Sequence, residues 1–299
     1  MSNTNGPTQT QALLVSLSFT LCRQSRQSKS EAKRVEDANH AQRGVSKVNL
    51  FYFQQKVGNE TNDALAELKS YTNAWRSAHN RLTRPWDGNN IRLLPAVNLP
   101  PYMDMDSKFK EGFPAKLQEF CEVHPDWEIT GPDRMGALYD AADFPSLDEC
   151  RNDIGYDVHM LPLPEAAQWQ RISMISPDLA QTMEASTNQR IAKAVEAARK
   201  QTWTDLFTPV EKIVATLSKD KPKFHDTLIG NLQDILNLAP AFNLSGDQEM
   251  NQFIAEAKAT LATINPDDLR ADPLLRASTC KKAQDMLDRF GMLGQRKFS

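Results

Sequence analysis

From Leu13 the chain alternates. Leu13, Val15, Leu17, Phe19 and Leu21 fall on one side, and Leu14, Ser16, Ser18 and Thr20 on the other. A period of two, rich in β-branched and aromatic residues, predicts a half-buried strand over 12–22. A short extended segment over 91–99 runs into Pro100 and Pro101. A further strand is expected over 155–163, with Pro162 and Pro164 placing it at a sheet edge or ending it. The stretch 45–57 turns apolar and holds three consecutive aromatics, Phe51, Tyr52 and Phe53. Alternation there points Phe51 and Phe53 inward and Tyr52 outward.

Helical spacing takes over at 58–83, where Leu65, Leu68, Tyr71 or Thr72, Trp75 and Leu82 share a stripe. Thr61 or Asn62 is the expected N-cap, Pro85 the stop, and Trp75 a core residue. A helix over 106–124 turns Phe109, Phe113, Leu117, Phe120 and Cys121 inward. Ser146 and Glu149 form a capping box that opens a short helix over 146–154. Beyond Pro177 the chain reads as helices over 178–219, interrupted at Pro209, then 226–238, 248–264 and 273–290. The polar start, 1–11, has no periodicity and reads as a disordered tail.

The expected fold class is therefore α+β. A small antiparallel sheet from strands near 12–22, 91–97 and 156–163 packs on helices, and a mostly helical C-terminal half follows. The expected division is 1–11, an α+β region over 12–164, and a helical region over 165–299.

Charge changes the picture. Residues 1–100 carry 13 Lys and Arg against 7 Asp and Glu, while 101–182 carry 6 against 16. The remainder is nearly balanced, so a net charge of −3 conceals a polarised chain. A basic arm over 23–47 suits an acidic partner, and an acidic band over 104–157 repels one. The longest apolar run, 12–22, is too short and too polar to span a bilayer, and no basic residue precedes it as a secretory signal requires. Four separated cysteines without a CxxC pair suit free thiols in a reducing cytoplasm.

Phosphate-binding loops, the dinucleotide GxGxxG, HExxH and GxSxG are absent, so neither a catalytic motif nor a cofactor is expected. Asp157 and His159 sit two apart on a strand and share a face, but two ligands do not make a metal site. Cys121 and His124 could face each other on a helix, yet no oxyanion donor or orienting group accompanies them. The acidic residues Asp104, Asp106, Asp140, Asp143, Asp148, Glu149 and Asp153 read as a solvated face or docking surface, with docking of the chain's own basic arm as one form of it.

Binding to single-stranded DNA needs cations for phosphates and aromatic faces for bases. The first hundred residues offer both. The candidate set is Arg23, Arg26, Lys29, Lys33, Arg34, Arg43, Lys47, Tyr52, Lys56, Arg84, Trp86 and Arg92.

The LLVSLSF opening, the basic helix, the helix ending in RPW, then RLLPA, NLPPY, FPSLDECRNDIGYDVHMLPLPEA and NPDDLRADPLLR follow in order. From about Ala12 to Arg289 this resembles an uncharacterised group of bacteriophage and plasmid proteins, some encoded near MoxR-type ATPases and von Willebrand A-domain proteins. It is also similar to the single-stranded-DNA-binding RNA polymerase cofactors of N4-related bacteriophages. That resemblance implies sequence-independent single-stranded DNA binding, a phage RNA polymerase as partner, a homo-oligomer, and the cytoplasm of an infected bacterium. The expected function is a non-enzymatic DNA-binding protein acting in phage transcription or replication. The alternative is an adaptor in an ATPase and A-domain assembly; a Mg²⁺-dependent hydrolase built on the acidic band ranks third.

Overall fold

The opening alternation forms strand β1, Ala12–Thr20, in a computed structural model that describes residues 12–57, 59–88, 90–172, 176–220 and 222–298. The tail expected over 1–11 lies outside the described residues. The basic segment is ordered as strand β2, Ser25–Gln27, and helix α1, Lys29–Ala38. Ser28 caps α1 by accepting the Glu31 N–H at 3.3 Å. Three short strands follow: β3, Asn49–Phe51; β4, Gln54–Val57; and β5, Glu60–Asp63.

The helix expected over 58–83 begins later, as α2, Ala66–Leu82. Thr61 and Asn62 do not cap it. They lie in β5, opposite Lys56 and Gln55 of β4. The Asp63 carboxylate instead accepts the Leu65 N–H at 2.9 Å in the turn that leads into the helix.

Strands β6, Arg84–Asp87, and β7, Ile91–Pro95, form an antiparallel hairpin. Helix α3, Leu99–Ile129, is far longer than 106–124 and carries Pro114 and Pro125 inside it. Pro100 and Pro101 fall in its first turn, where a missing N–H costs nothing. Helices α4, Gly131–Met135, and α5, Leu147–Asp153, come next. Both halves of the capping box at Ser146 and Glu149 are formed. Strand β8, Gly155–Pro162, follows.

The C-terminal part is helical: α6, Pro177–Leu217; α7, Thr227–Phe242; α8, Gln248–Thr260; α9, Pro266–Ala271; and α10, Pro273–Phe298. Helix α6 runs unbroken through Pro209, because Leu206, Val210 and Ile213 are fully buried on either side of it. A proline inside a helix costs about 3 kcal/mol, through the lost hydrogen bond and the ring's clash together, and each buried aliphatic side chain offsets about 1.5–3 kcal/mol. The fold is α+β, with an antiparallel four-stranded sheet in the order β6-β7-β1-β8 and two separate ladders, β2-β3 and β4-β5.

The compact units do not divide at 164. One comprises the described residues of Met1–Val15, Leu82–Pro100 and Met160–Ser299. The other comprises Ser16–Arg81 and Pro101–His159. The first has an aliphatic helical core around Leu206, Val210, Ile213, Leu232, Leu236 and Phe253, with a small cluster of Ala12, Leu14, Leu93, Leu163 and Leu244. The second has an aromatic core: Trp75, Phe113, Phe120, Phe53, Tyr52 and Phe144. Trp75 is fully buried there and stacks on Phe109 with ring centroids 5.4 Å apart.

Candidate nucleic-acid interface

The twelve candidates do not form one set. Arg84, Trp86 and Arg92 belong to the unit that holds the helical array, and the other nine to the aromatic unit. Arg84 is buried, bonded to Asp205 at 2.8 Å, with its guanidinium 3.6 Å from the Phe242 ring centroid. Burial pulls its pKa down to about 10, with Asp205 opposing the shift. Arg92 donates to the Thr83 hydroxyl at 2.6 Å, and burial lowers its pKa as well. Trp86 is half-buried against the Ala12, Leu14 and Leu93 cluster. Arg84 is thus committed to its contacts within this unit, while Trp86 and Arg92 are half-buried.

In the aromatic unit the arm divides. Arg23 donates to the Asp143 carbonyl and lies over the Tyr52 ring at 5.6 Å, and Arg26 pairs with the Asp143 carboxylate. Both therefore dock onto the acidic band. Much of the rest of that band is occupied locally. Asp104 pairs with Lys108 at 2.8 Å, the buried Asp106 with Lys110 at 2.7 Å, and Glu149 closes its capping box. Among the described residues no three His, Cys, Asp or Glu side chains are grouped so as to hold a metal ion. His124 is buried, with Nε2 bonded to the Pro145 carbonyl at 3.0 Å, while the Cys121 thiol meets Arg151 at 3.5 Å.

The remainder of the arm encloses a hollow of about 290 Å³ lined by Gln27, Lys29, Lys33, Arg43 and Lys47 around Glu36. Lys29 and Lys33 are one helical turn apart on α1 and share a face. Arg43 and Lys47 come from the loop that follows. Glu36 fixes that loop. Only 3% exposed, its carboxylate accepts the Ser46 N–H at 3.1 Å, the Ser46 hydroxyl at 3.0 Å and the Gly44 N–H at 2.9 Å. Gly44 has φ +85°, a conformation that a side chain would strain, and its N–H is aimed at that carboxylate. The Ser46 N–H does most to hold the Glu36 pKa below its usual value; the Ser46 hydroxyl, Gly44 and Arg43 add to this against the effect of burial.

Arg43 is partly neutralised by Asp37 at 2.6 Å and reaches the Lys33 carbonyl at 3.2 Å. Lys29, Lys33 and Lys47 are exposed and form no ion pair among the described residues. Arg34 is exposed and only loosely paired with Glu31 at 3.5 Å. Lys56 is exposed on β4.

Of the three aromatics, Phe53 faces the core as expected, while Phe51 and Tyr52 are reversed from the expectation. Tyr52 is 1% exposed and Phe51 is 45% exposed. Strand β3 ends at Phe51, so alternation stops there; Tyr52 and Phe53 lie in the bend that follows and both enter the core. Tyr52 meets Phe144 at 5.5 Å and Phe53 meets Phe120 at 5.5 Å. Tyr52 is thus removed from the stacking role, and Phe51 is the ring that reaches solvent. In the β2–β3 ladder Ser25 pairs with Phe51, Arg26 with Leu50 and Gln27 with Asn49. Leu50 is buried, so Gln27, Asn49 and Phe51 share the outward face. Gln27 also lines the basic hollow. Phe51 therefore stands on the ribbon face that leads into it.

No protein-family model, curated protein or solved structure matches this chain.

Proposed function

We propose that this chain is a non-enzymatic, largely sequence-independent single-stranded DNA-binding protein whose contact surface is the hollow of Lys29, Lys33, Arg43 and Lys47 with Phe51 beside it. The observation that carries this reading is the hollow itself: cations from a helix and a loop converge on one concavity, and an exposed ring occupies the adjoining ribbon face. Lysines without fixed partners can exchange counterions for phosphates, and an exposed ring can stack on any base. Arg34 and Lys56 extend the positive surface. The resemblance to phage proteins supports a setting in transcription or replication, with a phage RNA polymerase as partner, in an infected bacterial cell. Among the described residues no helix is long and apolar enough to cross a membrane.

The test is titration of labelled single-stranded and duplex oligonucleotides across a salt series. For four phosphate contacts on a single strand, log K should fall against log salt with a slope of roughly −3. Replacing Lys29, Lys33 and Lys47 together with Ala should flatten the slope by about 2. An unchanged slope in that variant, or equal affinity for duplex, would refute the assignment, and a metal-dependent nuclease activity would refute the non-enzymatic part.

A further inference from the structure

Strand β8 ends the four-stranded sheet: among the described residues its only sheet neighbour is β1. Its outer edge therefore carries backbone groups that no strand pairs, and most of its residues are exposed. Tyr156 packs on Trp75 at 4.8 Å and on Phe113 at 4.9 Å, so Tyr156 and Val158 face the core. Asp157, His159 and Leu161 then occupy the opposite, solvent face. Asp157 and His159 touch at 2.6 Å, and Leu161 is 56% exposed.

Charged residues on an edge strand ordinarily prevent self-pairing. A run of one sign would do so here in every register. An Asp and a His two residues apart do not. A two-fold axis perpendicular to a sheet keeps every residue on its own face, so it must lie level with one residue. Placed at Val158, it sets Asp157 of each copy opposite His159 of the other. The same-strand and cross-strand neighbours then alternate Asp and His around a square of four side chains. Placed at Asp157 or at His159, the axis sets like residues against each other. The edge is thus self-complementary in one register, while the flanking ones set carboxylate against carboxylate or leave imidazole against imidazole without an acceptor, and Pro162 limits how far pairing can run.

We infer that β8 is a homodimer interface, pairing antiparallel with β8 of a second copy about Val158 to make one continuous sheet. The occupant is a second copy of this chain because the carboxylate–imidazole pattern is complementary to itself under a two-fold. This inference is independent of the DNA-binding reading.

Sedimentation velocity on the full chain tests it. The unaltered chain should dimerise with rising concentration. His159→Asp sets two carboxylates face to face on both sides of the axis, and association should weaken about tenfold or more. The double exchange Asp157→His with His159→Asp recreates the pattern in reverse and should restore the dimer. Amide exchange at Val158 and His159 should slow as the dimer forms. A chain that stays monomeric at high concentration would overturn the proposal. So would equal dimerisation of the unaltered and His159→Asp chains, or a dimer that the double exchange does not rescue. Both altered side chains are more than half exposed, so the fold itself is not at stake in either variant.

Discussion

The two ends of the basic arm carry the same charge and meet different fates. Arg23 and Arg26 are fixed on Asp143, and Arg23 also covers the Tyr52 ring. A few residues on, Lys29, Lys33 and Lys47 line an open hollow without ion-pair partners among the described residues. The difference teaches that a count of cations overstates a binding surface. A guanidinium bonded to a carboxylate must give up that partner before it can hold a phosphate. A solvated ammonium gives up only water and loosely held ions.

The sharpest way to break this comparison lies in the neighbouring aromatics. Tyr52→Ala should cost about 3–5 kcal/mol of stability, as large-to-small aromatic changes in a core do, and lower the melting temperature accordingly. Phe51→Ala should leave the melt almost unchanged and weaken single-strand binding by about 1–3 kcal/mol. Paired melts and binding curves decide between them; the reverse pattern would return Tyr52 to the interface.

Next come the cations. Lys33→Glu with Lys47→Glu should reduce affinity at low salt and flatten the salt slope by about 1.4, two contacts' worth. Arg26→Ala should leave the slope alone and cost about 0.5–1 kcal/mol of stability, since its ion pair is partly exposed. Asp143→Asn should do the opposite, freeing Arg26 from its carboxylate and steepening the slope by up to about 0.7, one contact's worth, while Arg23 keeps its bond to the main-chain carbonyl. An Arg26→Ala slope as flat as that of the lysine variant would erase the distinction between the two ends of the arm.

The smallest effect concerns the Glu36 clamp, and it is local. The folded state holds this carboxyl below its ordinary pKa, chiefly through the Ser46 N–H, so it favours the ionised form. The stabilisation is fully present above the ordinary carboxylate value and is lost as pH falls through the lowered folded value. NMR signals of the Gly44 and Ser46 amides should therefore move together under acid, while those of the aromatic core stay put. Glu36→Gln should bring the acid positions of those two amides to neutral pH. Amides that shift only with global unfolding would remove Glu36 from its role in shaping the hollow.

The aromatic unit also shows where sequence reading reached its limit. Trp75, on the same helical stripe as Leu65, Leu68 and Leu82, was legible as core because a helix repeats its faces without outside help. The capping box at Ser146 was legible for a related reason: both of its hydrogen bonds lie within four residues. Phe51 and Tyr52 were not legible, because their facing depends on where a three-residue strand stops, and that is set by pairing with β2. The hollow was half legible. Its cations stand in the sequence, whereas their convergence depends on Glu36 and the loop it binds.

By itself the sequence determined the α+β class, the strands at Ala12–Thr20, Ile91–Pro95 and Gly155–Pro162, most of the helices, and the charge polarity of the chain. Periodicity, caps and composition are local or additive properties, and they survive without knowledge of neighbours. Only the tertiary structure decided that Arg84 is bound to Asp205, that Asp143 occupies two arginines, that Tyr52 is core and Phe51 is surface, and that the compact units interleave along the chain. Each of these depends on partners distant in sequence, up to 121 residues for Arg84 and Asp205. Burial and pairing are properties of the assembled neighbourhood, and a residue's own type does not carry them.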